Sequence, residues 1–189
     1  MRRVSEIRIE AARYANPLTF LPGNIPITLH LERLLQSPSS FVACYADLNH
    51  FKPFNDQYGY FRGDAMIKLL AETLQRNIDA RFDFLGHVGG DDFVVLFQST
   101  DWRERCRLIL AHFNTAARSL FSAEDLDRGG IEAEDRRGHR HFFPITTLAI
   151  GAVMVEPGNP CSAEQIASAS AQAKRKAKSL EQAFYEMPL

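Results

Sequence analysis

The sequence predicts an α+β fold: an antiparallel central sheet of the split βαβ, ferredoxin-like type, with surrounding helices. Three observations predict it. Strand-like apolar runs and amphipathic helical runs alternate as strand, helix, hairpin of two strands, helix, strand. The two middle strands are joined by Gly89-Gly90-Asp91-Asp92, a hairpin signal. The composition, 46% hydrophobic and 24% charged over 189 residues, suits one globular domain with a core that needs no staples. In this plan the helices pack on one face of the sheet.

The elements follow in order. Val4, Ile7, Ala11 and Tyr14 recur at three- and four-residue steps, predicting an N-terminal helix or linker over 1–15 ahead of a domain over 16–189. The segment NPLTFLPGN breaks that helix, and a second runs from Ile27 to Leu35. Phe41 to Leu48 reads as a buried strand with Asp47 near its end. Residues 49–62 read as a polar and aromatic loop, and a helix starts at Gly63 with Ile67, Leu70, Ala71, Leu74 and Ile78 on one face. Phe82 to Val88 and Phe93 to Phe97 are the hairpin strands. Trp102 to Phe121 is helical, with Phe121, Leu108 and Leu110 assigned to the core. Residues 122–141 are charged and glycine-punctuated, as in an exposed excursion. Ile145 to Val155 is a strand, and a helix runs from Ala163 to Leu180.

Several function classes are excluded or disfavoured. Lys and Arg number 22 against 23 Asp and Glu, a net charge of -1, which argues against a dedicated nucleic-acid binder. No apolar run approaches the roughly 20 residues of a membrane span, and MRRVSEIRIEAAR lacks the apolar stretch of a signal peptide. Cys44, Cys106 and Cys161 have neither zinc nor disulfide spacing, so a reducing cytoplasm is expected, with Cys44 a core residue.

The chemistry concentrates in acids. In a split βαβ sheet the first strand lies beside the hairpin, so Asp47, Asp91 and Asp92 can converge. Hard oxygens without histidine or thiolate suit Mg²⁺ completed by substrate phosphates. The same residues also suit ordinary turn chemistry, since Gly and Asp favour hairpin turns and a strand-end Asp caps the next turn. Spacing alone leaves both readings open. His139-Arg140-His141 places two imidazoles on one strand face but supplies no third ligand.

The segments ADLNHFKPFNDQYGYFRGD (46–64) and GHVGGDDFVVLF (86–97), with NPLTFLPGN upstream and TTLAIGAV (146–153) downstream, resemble the GGDEF domain of diguanylate cyclases, with the variant signature GGDDF. The resemblance covers residues 16–180 and implies a palm or nucleotide-cyclase-like sheet. It implies condensation of two GTP into cyclic di-GMP and two pyrophosphates, across a transient homodimer in which each domain holds one GTP. Asp47, the Leu48 carbonyl, Asp91 and Asp92 would hold Mg²⁺ or Mn²⁺, and Asp91 would help deprotonate the attacking 3′-hydroxyl. Lys52 would stabilise developing charge. Backbone N–H groups of His50 and Phe51, with Lys174 and Lys178, would bind the phosphates. Asn55 and Asp64 would select guanine. Sensory or regulatory domains in a longer parent chain are implied as partners.

Departures from the family pattern are specific. Asp92 replaces the usual Glu and is one methylene shorter. Phe20 stands where glycine is usual and Tyr60 where histidine is frequent. The family's inhibitory Arg-x-x-Asp aligns with Ala80 to Asp83, leaving no Arg at its first position. These departures motivate an alternative, a module that binds GTP or cyclic di-GMP and regulates an attached domain without turnover. A different palm-like nucleotidyl transferase is a third reading, against which the Asn55 and Asp64 pair speaks.

Overall fold

A computed structural model describes residues 14–134, 139–180 and 182–189. The first thirteen residues, which carry most of the expected N-terminal helix, lie outside the described residues. In the sheet the strand order is β2 (Phe84–Gly89), β3 (Asp92–Phe97), β1 (Phe41–Asn49), β6 (Thr147–Val155) and β7 (Phe184–Pro188), and β4 (Gly130–Glu134) and β5 (Arg140–Pro144) form a separate hairpin.

The sheet is organised around β1 (Phe41–Asn49), which pairs antiparallel with both β3 (Asp92–Phe97) and β6 (Thr147–Val155). β2 (Phe84–Gly89) closes the hairpin with β3, with a register shift between His87 and Gly89. Side chains alternate along a strand. Val42, Cys44, Ala46 and Leu48 therefore enter one core with α3 (Tyr60–Asn77) and α4 (Trp102–Ala117), against Met66, Leu70, Leu74, Ile109 and Phe113. Phe41, Ala43 and Tyr45 face the other way, toward α1 (Asn24–Leu35) and α6 (Ala163–Ser179). Helices thus cover both faces rather than the one expected. The sequence pattern carries the reason: β1 is apolar on both faces, as a central strand buried on both sides must be.

Other expectations need correction. The loop over 49–62 is α2 (Phe51–Tyr58) followed at once by α3, which begins at Tyr60 rather than Gly63. Phe54 is fully buried and Phe51 and Tyr58 pack beside it, a helical seam obscured by Pro53, which the first turn tolerates. Helix α4 ends at Ala117 and passes into a short 3-10 turn, Arg118–Leu120. Leu108 lies off its buried stripe and is exposed, whereas Leu110 and Phe121 are core.

The described part of the excursion, 122–134 and 139–141, is anchored. It contains α5 (Ala123–Arg128), capped by Ser122, and the hairpin of β4 (Gly130–Glu134) and β5 (Arg140–Pro144). Asp125 is buried, accepts a hydrogen bond from the Tyr58 hydroxyl and pairs with Arg128, and Ile131 is core. The last strand, β7 (Phe184–Pro188), was not legible. It lies parallel to β6, and Arg103 grips its Glu186 with two hydrogen bonds of 3.0 and 2.7 Å.

Candidate functional site

Asp47 lies on the β1 face that carries Tyr45, and α6 lies on that face. The approach is close because of Gly151, which pairs with Tyr45 across β1 and β6. A Cβ at Gly151 would sit 2.0 Å from the Lys174 backbone nitrogen. Ala173 and Ala177 are fully buried, and the Ser170 hydroxyl reaches the Ala43 carbonyl at 3.3 Å. Small residues on both sides thus bring Lys174 and Lys178, one helical turn apart, over the strand end.

Two cations and three acids meet there. Lys174 Nζ lies 2.8 Å from Asp47 Oδ2 and 2.7 Å from Asp92 Oδ1. Lys178 Nζ lies 2.9 Å from Asp47 Oδ2 and donates to the Leu48 carbonyl at 2.8 Å. The Leu48 N–H donates to Asp91 Oδ2 at 3.3 Å, and Asp91 shares a hydrogen bond with Asp47. Asp47 and Asp91 therefore come together. Asp92 turns instead to Lys174, so the expected convergence of three carboxylates is a convergence of two. Accordingly, the described residues hold no group of three His, Cys, Asp or Glu side chains placed to hold a metal ion.

The two neighbouring acids titrate apart. Burial drives the Asp91 carboxyl up to about 7, and the adjacent Asp47 charge adds to it. Burial also opposes ionisation of Asp47, but hydrogen bonds from Asp91, Lys174 and Lys178 outweigh it and hold the group below the usual carboxylate range. Lys174 loses by burial and gains more from Asp47 and Asp92, so its pKa is raised.

An open cleft of about 520 Å³ adjoins the cluster, walled by Asp47, Leu48, Asp91, Lys178 and the start of α2, including His50, Phe51, Lys52 and Asn55. His50 takes a left-handed conformation at the N-cap of α2 and makes no side-chain cap. The first-turn N–H groups of Phe51 and Lys52 have no acceptor within the helix and carry the positive end of its dipole. Asn55 Oδ1 is buried and without a hydrogen-bond partner. Tyr60 completes the rim, while Asp64, a turn further along α3, is exposed and is not part of this wall. A smaller apolar cleft of about 200 Å³ lies between α1 and α6 and carries none of these acids.

The donor set fits a hard divalent cation. Lys178 Nζ stands within hydrogen-bond distance of the Asp47 carboxylate and the Leu48 carbonyl, two oxygens already organised around positive charge.

Two further residues escaped the sequence reading. Tyr45 lies beneath Lys174, with the ammonium 4.5 Å from its ring centroid. Its signal was available, since it precedes Asp47 by two and shares its strand face. His87 is buried and hydrogen-bonded to Thr19 Oγ1 and to the Gly90 carbonyl. A lone histidine in an apolar strand next to the double-glycine turn was the signal there.

The fold is that of known GGDEF-domain structures. Superposition on diguanylate cyclase SiaD from Pseudomonas aeruginosa, solved with its activator SiaC, gives a TM-score of 0.73 at 19% identity, covering 100% of this chain and 66% of that one. The coiled coil and GGDEF domain of DgcB from Caulobacter crescentus, solved with c-di-GMP, gives 0.69 at 16% identity, covering 98% and 91%. Residues 14–125 match the family described as diguanylate cyclase, GGDEF domain, and the chain belongs to that family. Diguanylate cyclase DgcP of Pseudomonas aeruginosa is 33% identical over 89 residues, 45% of this chain and 13% of that protein. The bifunctional diguanylate cyclase/cyclic di-GMP phosphodiesterase MucR of the same organism is 31% identical over 105 residues, 53% and 15%. The chain thus matches only a small part of the length of these relatives. No helix among the described residues is long and apolar enough to cross a membrane.

Proposed function

We propose that two copies of this chain, each holding one GTP, condense their substrates into cyclic di-GMP and two pyrophosphates in a Mg²⁺- or Mn²⁺-dependent reaction. The observation that carries the reading is the oxygen cluster of Asp47, Leu48 and Asp91, neutralised by Lys178 and facing the N-terminus of α2.

Asp47, the Leu48 carbonyl and Asp91 would hold the metal, with Asp92 joining once released from Lys174. The bound metal supplies charge neutralisation on the triphosphate and lowers the pKa of the attacking hydroxyl. The N–H groups at His50 and Phe51, with Lys174 and Lys178, would bind phosphate oxygens. Asp91 would accept the 3′-hydroxyl proton. That oxygen bonds the α-phosphorus of the other GTP as the bond to the β-phosphate oxygen breaks, and pyrophosphate leaves with the electron pair. Lys52 at the cleft wall would balance the charge that develops. Asn55 and Asp64 would read the guanine edge.

The domain would begin near residue 16, lie in the cytoplasm, and be attached to sensory or regulatory domains that bring two copies together. The test is incubation with GTP and Mg²⁺ over a protein concentration series, with cyclic di-GMP and pyrophosphate separated by chromatography. Product rising more than linearly with protein, and lost in Asp91→Ala, is expected.

One observation favours a second reading. Lys174 holds Asp92 outside the Asp47 and Asp91 pair, as fits a module that binds GTP or cyclic di-GMP without turnover. GTP binding without product, even in a forced dimer, would replace the first reading with this one.

A further inference from the structure

His87 makes two hydrogen bonds from opposite sides of one buried ring. Nε2 lies 2.9 Å from the Gly90 carbonyl oxygen and Nδ1 lies 2.8 Å from Thr19 Oγ1. The ring is 1% exposed and stacks on Phe93, with centroids 4.1 Å apart and planes 9° from parallel. A carbonyl can only accept, so Nε2 carries the proton. Nδ1 is then bare and accepts from the Thr19 hydroxyl. The main chain ties the same places together, since the His87 N–H donates to the Pro22 carbonyl at 2.8 Å.

The Gly90 carbonyl belongs to the peptide plane whose nitrogen is that of Asp91. Gly89 and Gly90 both have positive φ, 151° and 58°, so the turn itself offers little resistance to rotation of that plane. The ring Nε2–H is a hydrogen bond from outside the turn that fixes it. Asp91 then points back across the sheet to the Leu48 N–H and to Asp47.

We propose that His87 is a positioning residue for the metal-binding hairpin: in the tautomer that the Gly90 carbonyl requires and the Thr19 hydroxyl supports by donating to Nδ1, it fixes the Gly90–Asp91 peptide so that the Asp91 carboxylate faces Asp47. The segment over residues 16–22 is thereby coupled to the metal site, although none of its residues belongs to the acidic cluster. The proposal rests on the functional reading only in taking Asp47 and Asp91 as metal ligands. Residues that orient ligands from behind commonly cost on the order of tenfold in metal affinity when replaced.

The experiment has two arms. In the first, ¹⁵N-histidine spectra of the metal-free protein report the tautomer, and hydrogen exchange at the Asp91 amide reports the hold on the peptide. In the second, nucleotide-free Mn²⁺ affinity is measured by electron paramagnetic resonance. The variants are Thr19→Val, His87→Phe, which keeps the stack on Phe93, and His87→Gln, which restores a donor. The expected result is an Nε2–H tautomer in the wild type. Asp91 exchange should quicken, and Mn²⁺ affinity fall about tenfold, in Thr19→Val and His87→Phe, with partial recovery in His87→Gln. An Nδ1–H tautomer, or unchanged Asp91 exchange and Mn²⁺ affinity in folded Thr19→Val, overturns the proposal. If His87→Phe does not fold, Thr19→Val decides. Should the wild type take up no Mn²⁺, the metal reading fails, while Asp91 exchange still decides the role of His87.

Discussion

The Lys178 ammonium lies 2.9 Å from Asp47 Oδ2 and 2.8 Å from the Leu48 carbonyl, so it neutralises the oxygens assigned here to a metal. A metal held by those oxygens would have to displace it, and the freed ammonium would then be available to a phosphate. Lys178→Met should raise nucleotide-free Mn²⁺ affinity, on the order of fivefold, while lowering turnover of GTP. Lys52→Met removes the same charge from an exposed position at the cleft wall and should change Mn²⁺ affinity less. Equal effects of the two substitutions in a Mn²⁺ titration would mean that Lys178 acts through bulk charge, not by occupying the site.

Asp91 gives a pH prediction. Its folded pKa, about 7, is above the ordinary carboxylate value of 3.8 because burial and the Asp47 charge penalise ionisation. A raised folded pKa means stability is fully present below the unfolded value and is lost as pH rises toward 7. Asp91→Asn removes that penalty. In metal-free thermal melts the variant should match wild type at the acid end and gain over it progressively between about 3.8 and 7. Its turnover should fall by on the order of 10²-fold or more. A melting difference that is flat across this range would show that Asp91 is not held against its charge.

Asp83 is a structural clamp. It accepts from the Asp79, Gln98 and Ser99 N–H groups and from the Ser99 hydroxyl, all at 2.9–3.0 Å. The position that carries Arg in the family's inhibitory site is Ala80, and the nearby Arg81 is committed to Asp79 at 2.7 Å. Asp83→Ala should therefore destabilise the domain by about 2–3 kcal/mol in denaturant melts, since it strands several donors. Cyclic di-GMP added to the assay should not slow initial rates through a site separate from the substrate cleft. Noncompetitive inhibition that disappears in Asp83→Ala, with the fold intact, would refute this.

Phe20 has φ 58°, the left-handed region that favours glycine, and its side chain is 81% exposed. Relief of the backbone conformation is worth about 1–2 kcal/mol, and glycine's extra freedom in the unfolded chain takes back about 0.5–1 kcal/mol. Phe20→Gly should thus raise the melting temperature slightly, by about 1–2 °C. A clear fall would mean that the exposed ring makes a stabilising contact.

What the sequence made legible follows from what each signal depends on. The acids and lysines could be read because strand end, hairpin turn and helix spacing are local patterns. Asp47 was placed beside the hairpin because β1 is central. The pairing of Asp92 with Lys174 was not legible, since it depends on how closely α6 seats on Gly151. Strand β7 was missed because a parallel neighbour reached through α6 leaves no turn signature. The stretch over 122–141 read as solvated because Asp125 is charged, yet Tyr58 and Arg128 bury and satisfy it. Partners distant in sequence decided each of these outcomes.

The guanine assignment rests on Asn55 and Asp64, which stand differently in the structure. Asn55 borders the cleft, and its Oδ1 is buried against Gly63 with no hydrogen-bond partner, so it gains one only if the amide turns toward a bound base. Asp64 is exposed outside that wall and would have to reach the base from beyond Tyr60. A base with a different donor pattern would leave these groups unpaired, and unpaired polar groups are how such sites reject a competitor. Asn55→Ala and Asp64→Ala should each reduce the ratio of GTP to ATP affinity, by on the order of tenfold or more. The larger loss should occur at Asn55, because only its acceptor is already withdrawn from water. Isothermal titration with the two nucleotides, in Mg²⁺ and without need of turnover, checks this. Discrimination retained in both variants would move the guanine site elsewhere on the cleft.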